Sequence, residues 1–267
     1  MKQKFVDQMG AELYLAQKPK RIISLVPSQT ELMADWGLED AVVGITKFCI
    51  HPSDWFQSKT RVGGTKKLNF KVIASLEPDL IIGNKEENSK SDIEYLKAHY
   101  PVWMSDINNL EDCYEMMQLL GELLDCGDKA KNTVEKLKIS FSKNGNPNCS
   151  PEILKVAYFI WQDPYMVAAA DTFIDEMIGK AGFSNVFENY KRYPEISTEL
   201  LQQLMPDLIF LSSEPFPFGE QHRQFFQKMC PWAKVEIVDG ELFSWYGSRL
   251  LKSAAYFEAL RQKFLNI

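Results

Sequence analysis

The chain has 267 residues, of which 45% are hydrophobic and 25% charged, with a formal net charge of −6. That length exceeds the usual size of one domain and suits two lobes of roughly 120 residues each. An acidic balance without a basic stripe excludes nucleic-acid binding, which needs cationic side chains to neutralise phosphates, and no apolar run approaches the length of a membrane span.

Lys2 and Lys4 open the chain, but residues 1–15 then alternate polar and apolar side chains, with neither an apolar core nor a small-residue cleavage site. No secretion signal is therefore expected in this sequence. Arg21 to Val26 is a short β-branched run that predicts a strand. Pro27 follows, and Ser28 with Glu31 reads as a capping box that starts a helix carrying Leu32, Met33 and Trp36 inward until Gly37. Ala41 to Ile45 predicts the next strand. A polar and aromatic loop, Thr46 to Leu68, leads to a helix marked by Val72, Ile73 and Leu76, then to a strand over Asp79 to Gly83. Asn88 to His99 is expected to be helical and Pro101 to Met104 extended, giving a βαβ-like lobe with a largely parallel sheet.

From Leu110 the apolar spacing turns helical through Tyr114, Met117, Leu120 and Leu124 and closes at Gly127. A second helix, Asp128 to about Ser142, places Ala130, Val134, Leu137 and Phe141 on one stripe. The turn-rich run Lys143 to Pro151 reads as a boundary. The second lobe repeats the order of elements: strands at Ile153 to Ile160 and Tyr165 to Ala168, and a helix starting at Thr172 with Asp175. A further helix–strand pair follows, then a helix near Glu220 to Met229, a strand at Lys234 to Val238 and a last helix from about Ser248. Leu76 to Gly83 reads LEPDLIIG and Leu204 to Leu211 reads LMPDLIFL, with Pro78 and Pro206 128 residues apart. The expected fold is thus α/β: two Rossmann-like lobes with mainly parallel sheets, joined by a single long helix, with a ligand cleft between the lobes. The divisions are residues 1–127, a linking helix and boundary at 128–150, and residues 151–267.

Ligands of open α/β sheets collect beyond the carboxyl ends of strands, so loops after strands are the places to search. Three are rich in aromatic and polar groups. Thr46 to Pro52 holds Phe48, Cys49 and His51, followed by Trp55 and the Gly63-Gly64-Thr65-Lys66 turn; Trp161 to Tyr165 is the second, and Phe243 to Arg249, with Trp245 and Tyr246, is the third. Phe216 and Phe218 lie in a separate loop. Such faces suit a large flat or amphipathic ligand; the alternative is that they plug the loops onto the core. Arg249 is a candidate grip for an anionic group. Cys49 and His51, two residues apart, are too few for a closed metal site, and no metal-binding cluster is expected on protein side chains. As nucleophile and base they lack an orienting third group, so no catalytic residue is assigned and a thiol enzyme is the minor reading. The five cysteines, Cys49, Cys113, Cys126, Cys149 and Cys230, are scattered without a CxxC pair and read as reduced thiols.

Taken in order, RIISLVPSQTEL, VGITKFCIHP, the VGGT of Val62 to Thr65, the two PDLI strands, DTFIDEMIGKAGFSNVF and SWYGSRLL resemble the class III periplasmic binding proteins, the cobalamin and ferric-siderophore receptors of ABC importers. The resemblance runs from about Lys20 to Leu260, and the vitamin B12 receptors are the most similar. It implies a non-catalytic, monomeric binding protein that clamps a small-molecule metal chelate between two lobes and works with an ABC permease. The cobalt or iron would arrive inside the ligand, and no intrinsic cofactor is implied. Phe48, Trp161, Tyr165, Phe216, Trp245 and Tyr246 would form walls, and His51, Thr65 and Arg249 polar contacts. Thr65 stands near where those receptors place another tryptophan. Glu199 matches the second-lobe glutamate that docks on the permease, whereas Lys71 stands at the first-lobe position. Resemblance implies a periplasmic location; the missing signal and the reversed charge make a cytosolic carrier or sensor of a corrinoid-like ligand the alternative.

Overall fold

A computed structural model describes residues 2–143 and 153–265. Most of the expected boundary, residues 144–151 with Cys149, lies outside them. The described chain groups into two compact units. One comprises Met1–Ile107, Glu111–Lys136 and Tyr246–Arg249; the other comprises Asn108–Leu110, Leu137–Trp245 and Leu250–Ile267.

The first unit opens with an antiparallel hairpin of β1 (Gln3–Val6) and β2 (Glu12–Leu15), which the alternating N-terminal pattern carried but which was not anticipated as an element. Asp7 fastens its turn by accepting the Met9 and Ala11 N–H groups at 3.0 and 2.7 Å, the local bonding that suits aspartate to turns. Next come β3 (Ile22–Ser24), α1 (Pro27–Asp35), β4 (Val42–Ile45), α2 (Ser53–Ser58), β5 (Thr60–Arg61), a short hairpin of β6 (Gly63–Gly64) and β7 (Lys67–Leu68), α3 (Phe70–Ser75), β8 (Leu80–Asn84), α4 (Lys90–Lys97) and β9 (Val102–Ser105). Five of these strands form a parallel sheet in the order β5-β4-β3-β8-β9. Strands β3, β8 and β9 are buried along their whole length, as near-continuous apolar runs covered on both faces must be. Their side chains pack in a core of Ile23, Leu25, Val62, Ile73, Ile81, Leu96 and Val102.

Two long helices follow, α5 (Leu110–Leu123) and α6 (Gly127–Lys143). Gly127 opens α6, and α6 is shared: its residues up to Lys136 group with the first unit and those from Leu137 with the second. The second unit contains β10 (Lys155–Trp161), β11 (Met166–Val167), α7 (Phe173–Lys180), β12 (Ser184–Asn185), α8 (Thr198–Leu204), β13 (Leu208–Ser212), α9 (Glu220–Met229), β14 (Lys234–Val238), α10 (Glu241–Ser244) and α11 (Leu250–Leu265). Its sheet runs β11-β10-β13-β14, with β11 antiparallel to β10 and the other pairings parallel. The core holds Phe159, Phe187, Ile209, Leu211 and Phe226.

The repeated phrase has a structural reason. Asn69 and Ser197 cap α3 and α8 by accepting the Val72 and Leu200 N–H groups. Glu77 and Met205 both turn left-handed, at φ +44° and +47°, and end their helices before Pro78 and Pro206. The Asp79 carboxylate then accepts the Lys20 and Arg21 N–H groups at 2.8 and 2.9 Å, and that of Asp207 accepts the Lys155 N–H at 2.8 Å. In each unit the aspartate ties the incoming strand, β8 or β13, to the start of its parallel neighbour, β3 or β10.

The expected capping box at α1 is not formed. Pro27 takes the first helical position, and Val26, without a polar side chain, is the cap. Ser28 therefore lies inside the first turn, and Glu31 makes a different bond.

Candidate functional site

In the first unit, β3 leads to β4 on one side while β8 and β9 lie on the other, so the chain reverses direction across the sheet between β3 and β8. Ligands of open α/β sheets favour such a switch point, at the carboxyl ends of the strands. Buried polar groups gather there. Gln29 Nε2 donates to Ser105 Oγ at 2.5 Å, and Asn84 Nδ2 donates to the same oxygen at 3.0 Å. Asn88 accepts the Asn84 N–H at 2.8 Å and donates to the Thr65 carbonyl at 3.2 Å. Asn84 Oδ1 accepts the N–H groups of Glu86 and Glu87 at 2.8 and 3.1 Å, which folds the loop after β8 into a fixed turn. Thr65 apart, none of these residues was picked out from the sequence; two asparagines four apart at the end of an apolar strand were the available signal.

Cys49, fully buried in the loop after β4, lies 3.1 Å from Thr30 Oγ1 and 3.2 Å from Thr46 Oγ1. Burial pushes its thiol up, against the opposing effect of the two hydroxyls, so it is not activated as a nucleophile. Among the described residues no group of three or more His, Cys, Asp or Glu side chains is placed to hold a metal ion. Phe48 in the same loop is 49% exposed and carries Lys47 Nζ 4.9 Å above its ring. Gly64 lies beneath this pair: a Cβ there would come within 3.3 Å of both Lys47 and Phe48. His51 is half-buried and Thr65 buried.

Arg249 is not available to a ligand. Its guanidinium donates to Glu31 Oε2 at 2.6 Å and Oε1 at 2.9 Å, with both side chains buried. A buried guanidinium requires such a partner, because leaving water without one costs several kcal/mol, on the order of 3–5. Tyr246 is buried in the same segment, its hydroxyl facing Ser28 and Ser105; burial and the nearby Glu87 charge push its pKa well up.

In the second unit, Trp161 ends β10 at 40% exposure, and its ring meets Phe216 edge-on at 5.7 Å. Phe216 packs on Phe218 at 4.7 Å and on His222 at 5.4 Å. The His222 ring is oriented by its Nδ1, which accepts the Gly219 N–H at 2.8 Å at the start of α9. Tyr165, half-buried, turns its ring to Phe159 and Phe226 at 5.9 and 5.4 Å. Trp245 is buried, and Glu214 Oε1 accepts both its indole N–H at 2.7 Å and the Ser244 hydroxyl at 2.8 Å. Glu214 and His222 were missed in the sequence, since their roles depend on ring contacts and bonds made after folding.

Lys71 and Glu199 hold the same position, second in α3 and second in α8, counted from the caps Asn69 and Ser197. Both are exposed. The bond from its own backbone N–H, followed by those from Ser197 and Thr198, holds the Glu199 carboxyl below the usual range.

Two α/β units, each with exposed aromatics and ordered polar groups in the loops after parallel strands, define a ligand-binding α/β protein. More particularly, the chain belongs to the periplasmic binding protein family, whose model matches residues 22–237. It is 26% identical over 256 residues to the uncharacterised ABC transporter substrate-binding lipoprotein YvrC of Bacillus subtilis, covering 92% of this chain and 81% of that protein. It is 24% identical over 205 residues to the vitamin B12-binding protein of Vibrio parahaemolyticus, covering 76% and 74%. Among solved structures, a periplasmic haem-binding protein from Pseudomonas aeruginosa superposes with a TM-score of 0.80 at 22% identity, over 92% of this chain and 94% of that one. The vitamin B12-binding protein BtuF of Vibrio cholerae gives 0.73 at 22% identity, over 91% and 98%. These superpositions establish the fold. No helix among the described residues is long and apolar enough to cross a membrane.

Proposed function

We propose that this chain is the substrate-binding protein of an ABC-type importer and takes up a metal chelate: cobalamin or another corrinoid, haem, or a ferric siderophore. One observation carries the reading. Phe48, in the loop after β4, and Trp161, the last residue of β10, are open to solvent at 49% and 40% in a chain of this family. Large aromatic faces bury much ligand area at low rotamer cost. Phe216 and Tyr165 extend the wall beside Trp161, and His51 and Thr65 supply polar contacts near Phe48. Trp245 and Tyr246, both buried, support the loops from beneath. The metal enters within the ligand, and binding involves no covalent step. The names of the relatives, vitamin B12-binding and haem-binding, support this ligand class.

Titration of the purified protein with cyanocobalamin, haemin and ferric siderophores, followed by calorimetry and absorbance, tests the reading. Absence of binding by all three classes would sink it.

In the importer, Glu199 docks on a cationic patch of the permease, on the outer side of the cytoplasmic membrane. A second reading, a carrier or sensor uncoupled from a permease, is favoured by Lys71, which reverses the charge at the position equivalent to Glu199. Pull-down of the cognate permease decides between them. Retention by wild type and loss with Glu199→Lys supports docking, whereas recovery of binding only in Lys71→Glu supports the uncoupled carrier.

A further inference from the structure

Glu87 stands in the loop after β8, at the switch point of the first unit's sheet. Its N–H is held by Asn84 Oδ1 at 3.1 Å, and Asn84 is itself held by Asn88, so the turn that presents the carboxylate is fixed by two buried amides. Glu87 is half-buried, and burial raises the pKa of its carboxyl above the ordinary range, with Lys66 opposing. Its charge is felt by the Lys66 ammonium in the turn between β6 and β7, by the Cys49 thiol in the loop after β4, and by the Tyr246 hydroxyl in the Tyr246–Arg249 segment. Lys66 Nζ donates to the Glu86 carbonyl and makes no direct bond to the Glu87 carboxylate. No hydrogen bond or ion pair among the described residues reaches the Glu87 side chain.

A carboxylate partly removed from water without donors is costly, and the cost is relieved by any molecule that brings N–H groups to it. A ligand carboxylate in the same place is repelled, and such a clash discriminates as strongly as an attractive contact. The geometry points to Glu87 as a specificity-determining ligand contact, one that accepts N–H donors and selects a macrocycle edged with amides over one edged with carboxylates. This rests on the proposed function, in which the ligand is a corrinoid or haem-like chelate.

Dicyanocobinamide and dicyanocobyrinic acid test it, because they share one corrin ring and differ in carrying peripheral amides or carboxylates. Wild-type protein is expected to bind the amide form at least about tenfold more tightly at pH 7. Glu87→Gln should tighten cobyrinic acid by about tenfold and largely remove the preference. Glu87→Lys should invert it. Near-identical circular dichroism of the three proteins establishes that the fold is kept. Equal preference in wild type and Glu87→Gln overturns the role of Glu87 while the proposed function stands. Binding of haemin but of neither corrinoid has the same meaning. Failure of corrinoids, haemin and ferric siderophores alike overturns both.

Discussion

Arg249 grips Glu31 through two parallel hydrogen bonds of 2.6 and 2.9 Å, joining residues 218 apart in sequence inside one compact unit. The fork geometry of guanidinium matches a carboxylate, and the pair fixes the Tyr246–Arg249 segment against α1. Gly247 shares this packing: it is left-handed at φ +96°, and its Cβ position lies 3.4 Å from Leu32.

Removing one partner strands the other charge in the interior. Arg249→Leu and Glu31→Leu are each expected to lower stability by about 3–5 kcal/mol, while the double substitution costs clearly less than their sum. Urea unfolding of the four proteins measures this. Additive losses would show that the two groups are not coupled.

Phe48→Ala and Trp161→Ala should each weaken ligand affinity by about tenfold, in line with the value of one aromatic face of roughly 1–1.5 kcal/mol. Both side chains are substantially exposed, so the urea midpoint should change little. A large fall in stability with unchanged affinity would assign them to the core.

Cys49 should react slowly with thiol reagents at neutral pH, because burial raises its pKa and covers the sulfur. Peptide mapping after brief labelling of the native protein checks this. Labelling of Cys49 on the timescale of a simple exposed thiol would revive the enzyme reading. Among the described residues no disulfide joins Cys49, Cys113, Cys126 or Cys230, and all four are buried, so each should label fully once urea unfolds the chain.

Glu87 gives the stability a pH dependence of defined sign. Its folded pKa is raised, so the native state holds the proton more strongly than the unfolded chain. Its contribution to stability is then fully present below the ordinary value of 4.5 and is lost as pH rises from there through the folded pKa. Glu87→Gln lacks that fall. Its urea midpoint should exceed that of wild type at pH 7 and approach it near pH 4, and a midpoint difference independent of pH would contradict the assignment.

Gly44→Ala should destabilise the first unit by about 1–3 kcal/mol, through overpacking. A Cβ on Gly44 would sit 2.7 Å from Leu76, 3.0 Å from Val62 and 3.2 Å from Ile23. Thermal unfolding checks the loss, and an unchanged midpoint would mean that the core around Leu76 yields.

Local pattern in the chain was enough for most of the elements, though not for the β1–β2 hairpin or for α2, β5, β6 and β7 inside the stretch read as a loop. Apolar spacing and the punctuation of PDLI placed α3, β8, α8 and β13, and Thr172 was rightly read as the cap of α7, because its hydroxyl accepts the Asp175 N–H. These depend on neighbours within a turn or two, which is why sequence carries them. The aromatic loops were legible for the same reason: they follow strands that could be recognised. Partnership was not. Ser28 and Glu31 matched a capping pattern, but Pro27 took the first helical position and a guanidinium 218 residues away claimed the carboxylate. Arg249 looked available for a ligand and is spent on Glu31; Glu87 was not singled out and stands half-buried within the field of Lys66. Which polar groups meet at the carboxyl ends of a sheet is settled by contacts between distant segments and by the water those contacts exclude, and only the folded chain decides that.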